Sequence, residues 1–307
     1  MEKLIIWIVL LVFFYLMNRI STWKKRAATA FLVVGQRATT KEERKWGYRN
    51  ALRAGEQKAE RFYVYSALED FMDGKPMMPF KMKLSNGKKI PAIFIDYYIP
   101  KRDWNFITEE QRKFVQMVYD FKDGRVSCSR LFKEALAKLD LPDSVTVVFM
   151  PCSNQSKYLT RFSRLSNALS YEEKLHPMLY SLTYLEARES KHNIKDRDKV
   201  NADSNVIINA DIVGKKVVII DDVITTGSSI KEHAEELGKY GVEVVGIVCL
   251  AKTVKYPEKV EIWIESHFNT KNVKEYRFSP VLVVYIQDFI KPVFLKLENL
   301  AFQKRKS

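Results

Sequence analysis

Two adjacent acids, Asp221 and Asp222, stand at the end of an apolar run over residues 217–220. Val223 and Ile224 follow, and then a small, hydroxyl-rich string, Thr225-Thr226-Gly227-Ser228-Ser229. A Val/Ile run of this length reads as a buried strand, and Ile230, Ala234, Leu237 and Tyr240 recur at helical spacing directly after the string. The string is therefore a strand-to-helix turn. Backbone N–H groups left free at a helix N-terminus suit a phosphate monoester. Gly227 lets the backbone approach such a group closely, and the hydroxyls of Thr225, Thr226, Ser228 and Ser229 add donors. The two carboxylates are not phosphate ligands, because like charges repel. They must accept hydrogen bonds from sugar hydroxyls or work beside a metal ion.

The elements that would carry this turn can be read on either side of it. Residues 145–149 and 244–250 are further Val-rich runs of strand length, and Gly241 is placed to close the helix between the last two strands. Strands of this kind alternating with helices predict a parallel sheet covered on both faces, an α/β fold. In such sheets ligands bind outside the carboxyl ends of the strands, which is where residues 221–229 fall. Upstream, Asn86-Gly87 is a hairpin turn signal leading into a strand over 90–98. A helix is expected over 108–119 with Phe114, Val115 and Val118 inward, and another over 130–139, closed by Leu141-Pro142.

Four apolar residues, two acids, two apolar residues and Thr-Thr-Gly-Ser-Ser resemble the motif by which type I phosphoribosyltransferases bind 5-phosphoribosyl-1-pyrophosphate (PRPP). The resemblance implies that Asp221 and Asp222 hold the ribose 2′ and 3′ hydroxyls and that Thr225, Thr226, Gly227, Ser228 and Ser229 wrap the 5′-phosphate. Further segments resemble the ComF-like branch found in competence systems. These are Tyr119-Asp120-Phe121-Lys122-Asp123-Gly124-Arg125, Phe149-Met150-Pro151-Cys152-Ser153-Asn154-Gln155-Ser156, Arg161-Phe162-Ser163-Arg164 and Ala251-Lys252-Thr253. By that resemblance the loop bearing Cys152, Ser153 and Asn154, with Lys157 and Arg161 nearby, contacts pyrophosphate. Magnesium is implied as the ion held through PRPP, with Asp221 and Asp222 beside it. One departure matters: the position three after the second acid, where enzymes acting on purines often carry an acidic base, is Thr225. A hypoxanthine- or guanine-type transferase is therefore disfavoured. Residues 90–123 are expected to build a hood for the acceptor, and the charged stretch over 188–198 to be either a flap over the substrate or an exposed loop.

The chain has 51 Lys+Arg against 37 Asp+Glu, a net charge of +14. That balance fits a basic solvated surface, or attraction to anionic lipid, nucleic acid or a polyphosphate. Three scattered cysteines and four histidines without ligand spacing suggest neither a disulfide framework nor a zinc site. Residues 4–17 are unbroken apolar, and extension to Trp23 approaches the ~20 residues of a full span. Lys24, Lys25 and Arg26 follow where a cleavage site would need small residues. The run reads as an uncleaved, single-pass membrane anchor with the main domain cytoplasmic. The expected organisation is an anchor (1–26), a linker and helical accessory segment (27–89), a phosphoribosyltransferase-like domain with its hood (90–256) and a C-terminal extension (257–307) in which 280–307 either packs on the domain or lies on the membrane. Two functions compete: transfer of phosphoribosyl to an unidentified acceptor with release of pyrophosphate, and PRPP or nucleotide binding without turnover. A nucleic-acid-handling accessory is a third reading, resting on charge and the ComF-like segments, and a homodimer stands among the partners considered.

Overall fold

Helix α1 in the computed structural model runs unbroken over Glu2–Arg37, well past the apolar run that begins it. The structure describes residues 2–184 and 206–268. Leu10, Leu11, Val12, Phe13, Phe14, Tyr15, Leu16, Met17, Ile20 and Trp23 all face solvent along α1, whereas Ala28 is buried. Among the described residues, no helix is long and apolar enough to cross a membrane. Helix α2 (Lys41–Arg53) is started by Thr40, whose hydroxyl accepts from the Glu43 N–H. It meets α1 through two glycines: a Cβ on Gly47 would lie 2.5 Å from the Gly35 nitrogen, so the two backbones touch where neither has a side chain. Helices α3 (Ala59–Ser66) and α4 (Leu68–Phe71) complete this stretch.

The chain divides into two compact units, residues Met1–Phe71 with Tyr256–Ser307, and residues Met72–Lys255. The second unit holds a six-stranded sheet. Its strands are β1 (Phe80–Lys83), β2 (Lys89–Tyr98), β3 (Val145–Phe149), β4 (Leu175–Met178), β7 (Lys216–Ile224) and β8 (Glu243–Thr253), while β5 (Leu182–Tyr184) and β6 (Val206–Ile208) form a separate antiparallel pair. The spatial order is β1-β2-β8-β7-β3-β4, with β1 antiparallel to β2 and the others parallel. The Asn86-Gly87 turn closes the β1–β2 hairpin, with the Leu84 N–H donating to the Lys88 carbonyl at 2.8 Å. Helices α5 (Glu109–Lys122), α6 (Ser129–Leu136), α7 (Gln155–Leu169) and α8 (Ser228–Lys239) accompany the sheet. Thr108 and Gln111 cap α5 reciprocally, a capping box that fixes where it starts.

All five residues of β3 are buried, as are Val217, Val218, Ile219 and Ile220 of β7, the pattern of strands covered on both faces. Phe121, Phe132, Phe162, Leu165 and Leu169 pack with Val145, Val147, Phe149, Val218 and Ile220 into one core cluster. Chain direction sets the site. From β3 the chain passes through α7 to β4 on one side, whereas β7 passes through α8 to β8 on the other. The loops leaving β3 and β7 therefore diverge, opening the crevice in which α/β sheets bind ligands.

In the first unit, α9 (Lys259–Phe268) ends against α2. The last carbonyls of a helix lack internal partners. Here Arg49 donates to the Ser266 carbonyl at 2.8 Å, and Arg53 donates to those of Ser266 and His267. The expected flap over 188–198 and the tail over 280–307 lie outside the described residues.

Candidate functional site

Strand β7 does not stop at Ile220. It continues through both acids to Ile224, with Asp221 in register with Cys249 of β8 and Ile224 with Lys252. On its other side the pairing with β3 ends at Phe149–Ile220, after which the Met150 N–H makes a last 2.9 Å bond to the Ile220 carbonyl. The acids thus sit on a strand that has lost one neighbour. On this stretch Asp221 is half-buried and Asp222 buried, and the two carboxyls act on one another.

Asp222 is 7% exposed and points at two cations. The Arg161 Nη1 lies 2.5 Å from its Oδ2, and the Lys122 Nζ lies 3.8 Å away. The Arg161 Nε is buried with no hydrogen-bond acceptor among the described residues. Burial raises the pKa of Asp221 well above the ordinary carboxylate range, the charge of Asp222 adds to this, and the Asp222 N–H and Arg161 oppose it. The Asp221 Oδ1 accepts that N–H at 2.7 Å. Cys152 is half-buried in the loop after β3, and its thiol is pushed up to about 11, first by burial. Arg161 and both acids act on it electrostatically, so it belongs to the same cluster.

The string after β7 forms the turn into α8. Gly227 is its N-cap, at φ +78° and without a side chain to cap it, while the Thr226 hydroxyl accepts from the Ser228 N–H at 3.4 Å. Gly227 is buried against Met82 of β1, whose Cε would lie 3.3 Å from an added Cβ. Thr225, Thr226 and Ser228 are exposed and Ser229 is half-buried. The hydroxyls of Thr226 and Ser228 lie 3.1 Å apart. Uncapped N–H groups, exposed hydroxyls and a left-handed glycine make a cradle open to an anion.

The residues assigned to pyrophosphate by resemblance separate into two groups. Arg161 and Cys152 lie at the acid pair. Asn154 instead caps α7, its side chain accepting from the Lys157 N–H at 2.8 Å. The Lys157 side chain is exposed, and Ser153 is half-buried between Cys152 and the cap.

Sequence reasoning missed Lys122, together with Tyr98 and Tyr119, whose hydroxyls are 2.6 Å apart. The Lys122 Nζ lies 5.7 Å from the Tyr98 ring centre, and the Tyr98 phenol is raised by burial, by Tyr119 and by Asp222. What delivers Lys122 is Gly124, two residues on. At φ +69° it turns the end of α5 against α7 so closely that a Cβ would lie 2.3 Å from the Thr160 carbonyl oxygen. The signal was present in the Lys122-Asp123-Gly124 run, where a cation precedes a left-handed glycine.

A shallow cavity of about 600 Å³ lies away from the acids, lined by residues including Arg125, Cys128, Ser129 and Arg164. Its cations are engaged: Arg125 pairs with Asp120 and Asp123, and Arg164 donates to the Arg125 carbonyl. Among the described residues, no group of three His, Cys, Asp or Glu side chains is placed to hold a metal. Of the two acids, Asp222 is engaged by the cations of Arg161 and Lys122.

The phosphoribosyl transferase domain family matches residues 159–280, a stretch that includes Arg161, both acids and the turn into α8. Most of the match thus falls within a unit of mixed α/β architecture. The chain is 42% identical over 52 residues to an orotate phosphoribosyltransferase of Coccidioides immitis, covering 17% of this chain and 22% of that protein. It is 34% identical over 71 residues to the DNA utilization protein YhgH of Escherichia coli, covering 23% and 28%. An adenine phosphoribosyltransferase of Rhodospirillum rubrum is 38% identical over 55 residues, covering 17% and 32%. The chain therefore spans less than a third of the length of these curated relatives. Among solved structures, a hypoxanthine phosphoribosyltransferase of Staphylococcus aureus aligns with a TM-score of 0.26 at 15% identity, covering 46% of this chain and 71% of that one.

Proposed function

We propose that the chain binds PRPP in the crevice after β3 and β7 and transfers its phosphoribosyl group to a nucleophilic acceptor, releasing pyrophosphate. The observation that carries this is the acid pair on β7 running directly into the uncapped turn of α8, within the matched phosphoribosyl transferase domain. The α8 turn accepts the 5′-phosphate, and the acids accept hydrogen bonds from the ribose hydroxyls. As the bond from C1 to pyrophosphate oxygen breaks, a bond from the acceptor to C1 forms, and the electron pair leaves with pyrophosphate. Positioning and electrostatics do the work, with Arg161 supplying positive charge on the side of the leaving group. Magnesium belongs to this reading as an ion carried by the substrate pyrophosphate.

Titration calorimetry of PRPP with magnesium into the full chain tests the proposal. Binding is expected for the wild type and lost in Asp222→Asn combined with Asp221→Asn. Pyrophosphate release should then be measured with pyrimidine, purine and amine acceptors. A folded chain that does not bind PRPP would defeat the reading.

A binding role without turnover is favoured by one feature: Thr225 occupies the position where purine-type enzymes often carry an acidic base. It predicts PRPP binding with no pyrophosphate released for any acceptor. The membrane reading is supported by the ten exposed apolar side chains from Leu10 to Trp23 on α1. On this reading that stretch of helix enters lipid, and the basic residues Lys24, Lys25 and Arg26 lie at the headgroups.

A further inference from the structure

Two cations, Arg161 from α7 and Lys122 from the end of α5, converge on the single Oδ2 of a buried carboxylate, Asp222. The arrangement is unfinished, since the buried Arg161 Nε has no acceptor among the described residues. A buried guanidinium N–H without a partner costs free energy that an arriving anion would recover. Asp222 is the very acid that a ribose diol would need, and as it stands its Oδ2 faces cations rather than the crevice.

Resting on the PRPP reading, we propose that Lys122 and Arg161 form a ligand-exchange clamp, holding Asp222 while the crevice is empty and releasing it to the ribose diol by turning onto the pyrophosphate. Pyrophosphate supplies the charge that draws both cations off the carboxylate, and the freed Asp222 then accepts from the sugar. The clamp makes the site selective. A sugar phosphate without pyrophosphate must compete with Lys122 and Arg161 for Asp222, and it brings nothing to hold the cations in exchange. Lys122 thereby becomes a pyrophosphate-binding and specificity-determining residue. Gly124 matters to the clamp because it places Lys122, through its close approach to Thr160.

The test compares two ligands on the full chain: PRPP and ribose 5-phosphate, each with magnesium, titrated into wild type, Lys122→Met and Lys122→Arg. Loss of one charge-assisted contact is expected to weaken PRPP binding about tenfold to a hundredfold in Lys122→Met. The same variant should bind ribose 5-phosphate more tightly than wild type, because Asp222 has lost one competitor. Lys122→Arg should keep PRPP affinity near that of wild type. A general disturbance of the site would weaken both ligands together, so unchanged or weaker ribose 5-phosphate binding in Lys122→Met overturns the clamp, as does unchanged PRPP binding. Should the methionine variant lose its thermal transition, Lys122→Gln repeats the comparison with a polar, uncharged head. Wild-type chain that binds neither ligand overturns the PRPP reading and the clamp with it, whereas the outcomes above overturn the clamp alone.

Discussion

Gly124 and Gly214 share a backbone conformation, φ +69° and +71°, but not their surroundings. Alanine at either position accepts the left-handed penalty of an L-residue, roughly 1–2 kcal/mol. At Gly214 nothing lies within 4 Å of the new Cβ, so that penalty is the whole cost. At Gly124 the Cβ would lie 2.3 Å from the Thr160 carbonyl oxygen and 2.8 Å from its Cγ2. The oxygen belongs to the backbone of α7 and has no rotamer to turn away, so α5 and α7 must separate. Overpacking of this kind adds about 1–3 kcal/mol. Gly214→Ala should therefore lower stability by roughly 1–2 kcal/mol and Gly124→Ala by roughly 2–5 kcal/mol. For a unit of this size each kcal/mol shifts Tm by about 2–4 °C, so the two variants should differ by roughly 2–12 °C. Scanning calorimetry of the three full-length proteins reads the difference directly. Equal shifts would refute the close approach and, with it, the account of how Lys122 is brought to Asp222.

Asp221→Asn should raise Tm at neutral pH. The folded pKa of Asp221 lies above its unfolded value, so the native state binds the extra proton between the two. The stability of the wild type therefore falls as pH rises through that window, by at most about 1.4 kcal/mol for each step of one in pH. The advantage of the variant should vanish below the unfolded carboxylate range, and thermal melts from acid to neutral pH that show a constant difference would contradict this. For the exposed apolar stretch of α1, the full chain should float with phospholipid vesicles, and the chain carrying Leu11→Arg and Phe14→Arg should not. Each arginine near the centre of an inserted helix costs about 2.5–3.5 kcal/mol, so unchanged flotation would refute insertion of this stretch.

Much of the sheet was legible because its strands carry signals that nothing else imitates. The runs over 145–149 and 244–250 and the hairpin at Asn86-Gly87 became β3, β8 and the β1–β2 turn. The strand bearing the acids was misjudged at one end. The apolar run over 217–220 reads as the strand, with both acids delivered at its carboxyl end. Yet Val223 and Ile224 continue the alternation, half-buried and buried in turn, and the pairing with β8 extends the strand through both acids to Ile224. Tertiary pairing on one side outweighed local propensity. Lys122 was not legible as a partner of Asp222, because no periodicity relates residues so far apart in sequence. It took the positive φ of Gly124, the packing of α5 on α7 and the loss of the β3 neighbour beyond Ile220 to bring them together.

The extension of β7 also changes what the two acids can do. In a turn, Asp221 and Asp222 could have acted as an equivalent pair towards one ligand. On the strand they differ in burial, Asp222 being buried and Asp221 half-buried. Asp222 meets Arg161 and Lys122, whose positive charges pair with its carboxylate. Asp221 meets the buried thiol of Cys249 opposite and its neighbour's charge, and burial drives its carboxyl towards the neutral form. A neutral carboxylic acid can donate a hydrogen bond as well as accept one, which a carboxylate cannot. The adjacent acids of this motif are therefore chemically unlike, and Asn substitutions at the two positions should not be interchangeable. At Asp221 asparagine removes the charge that burial penalises. At Asp222 it removes the one charge that holds both cations.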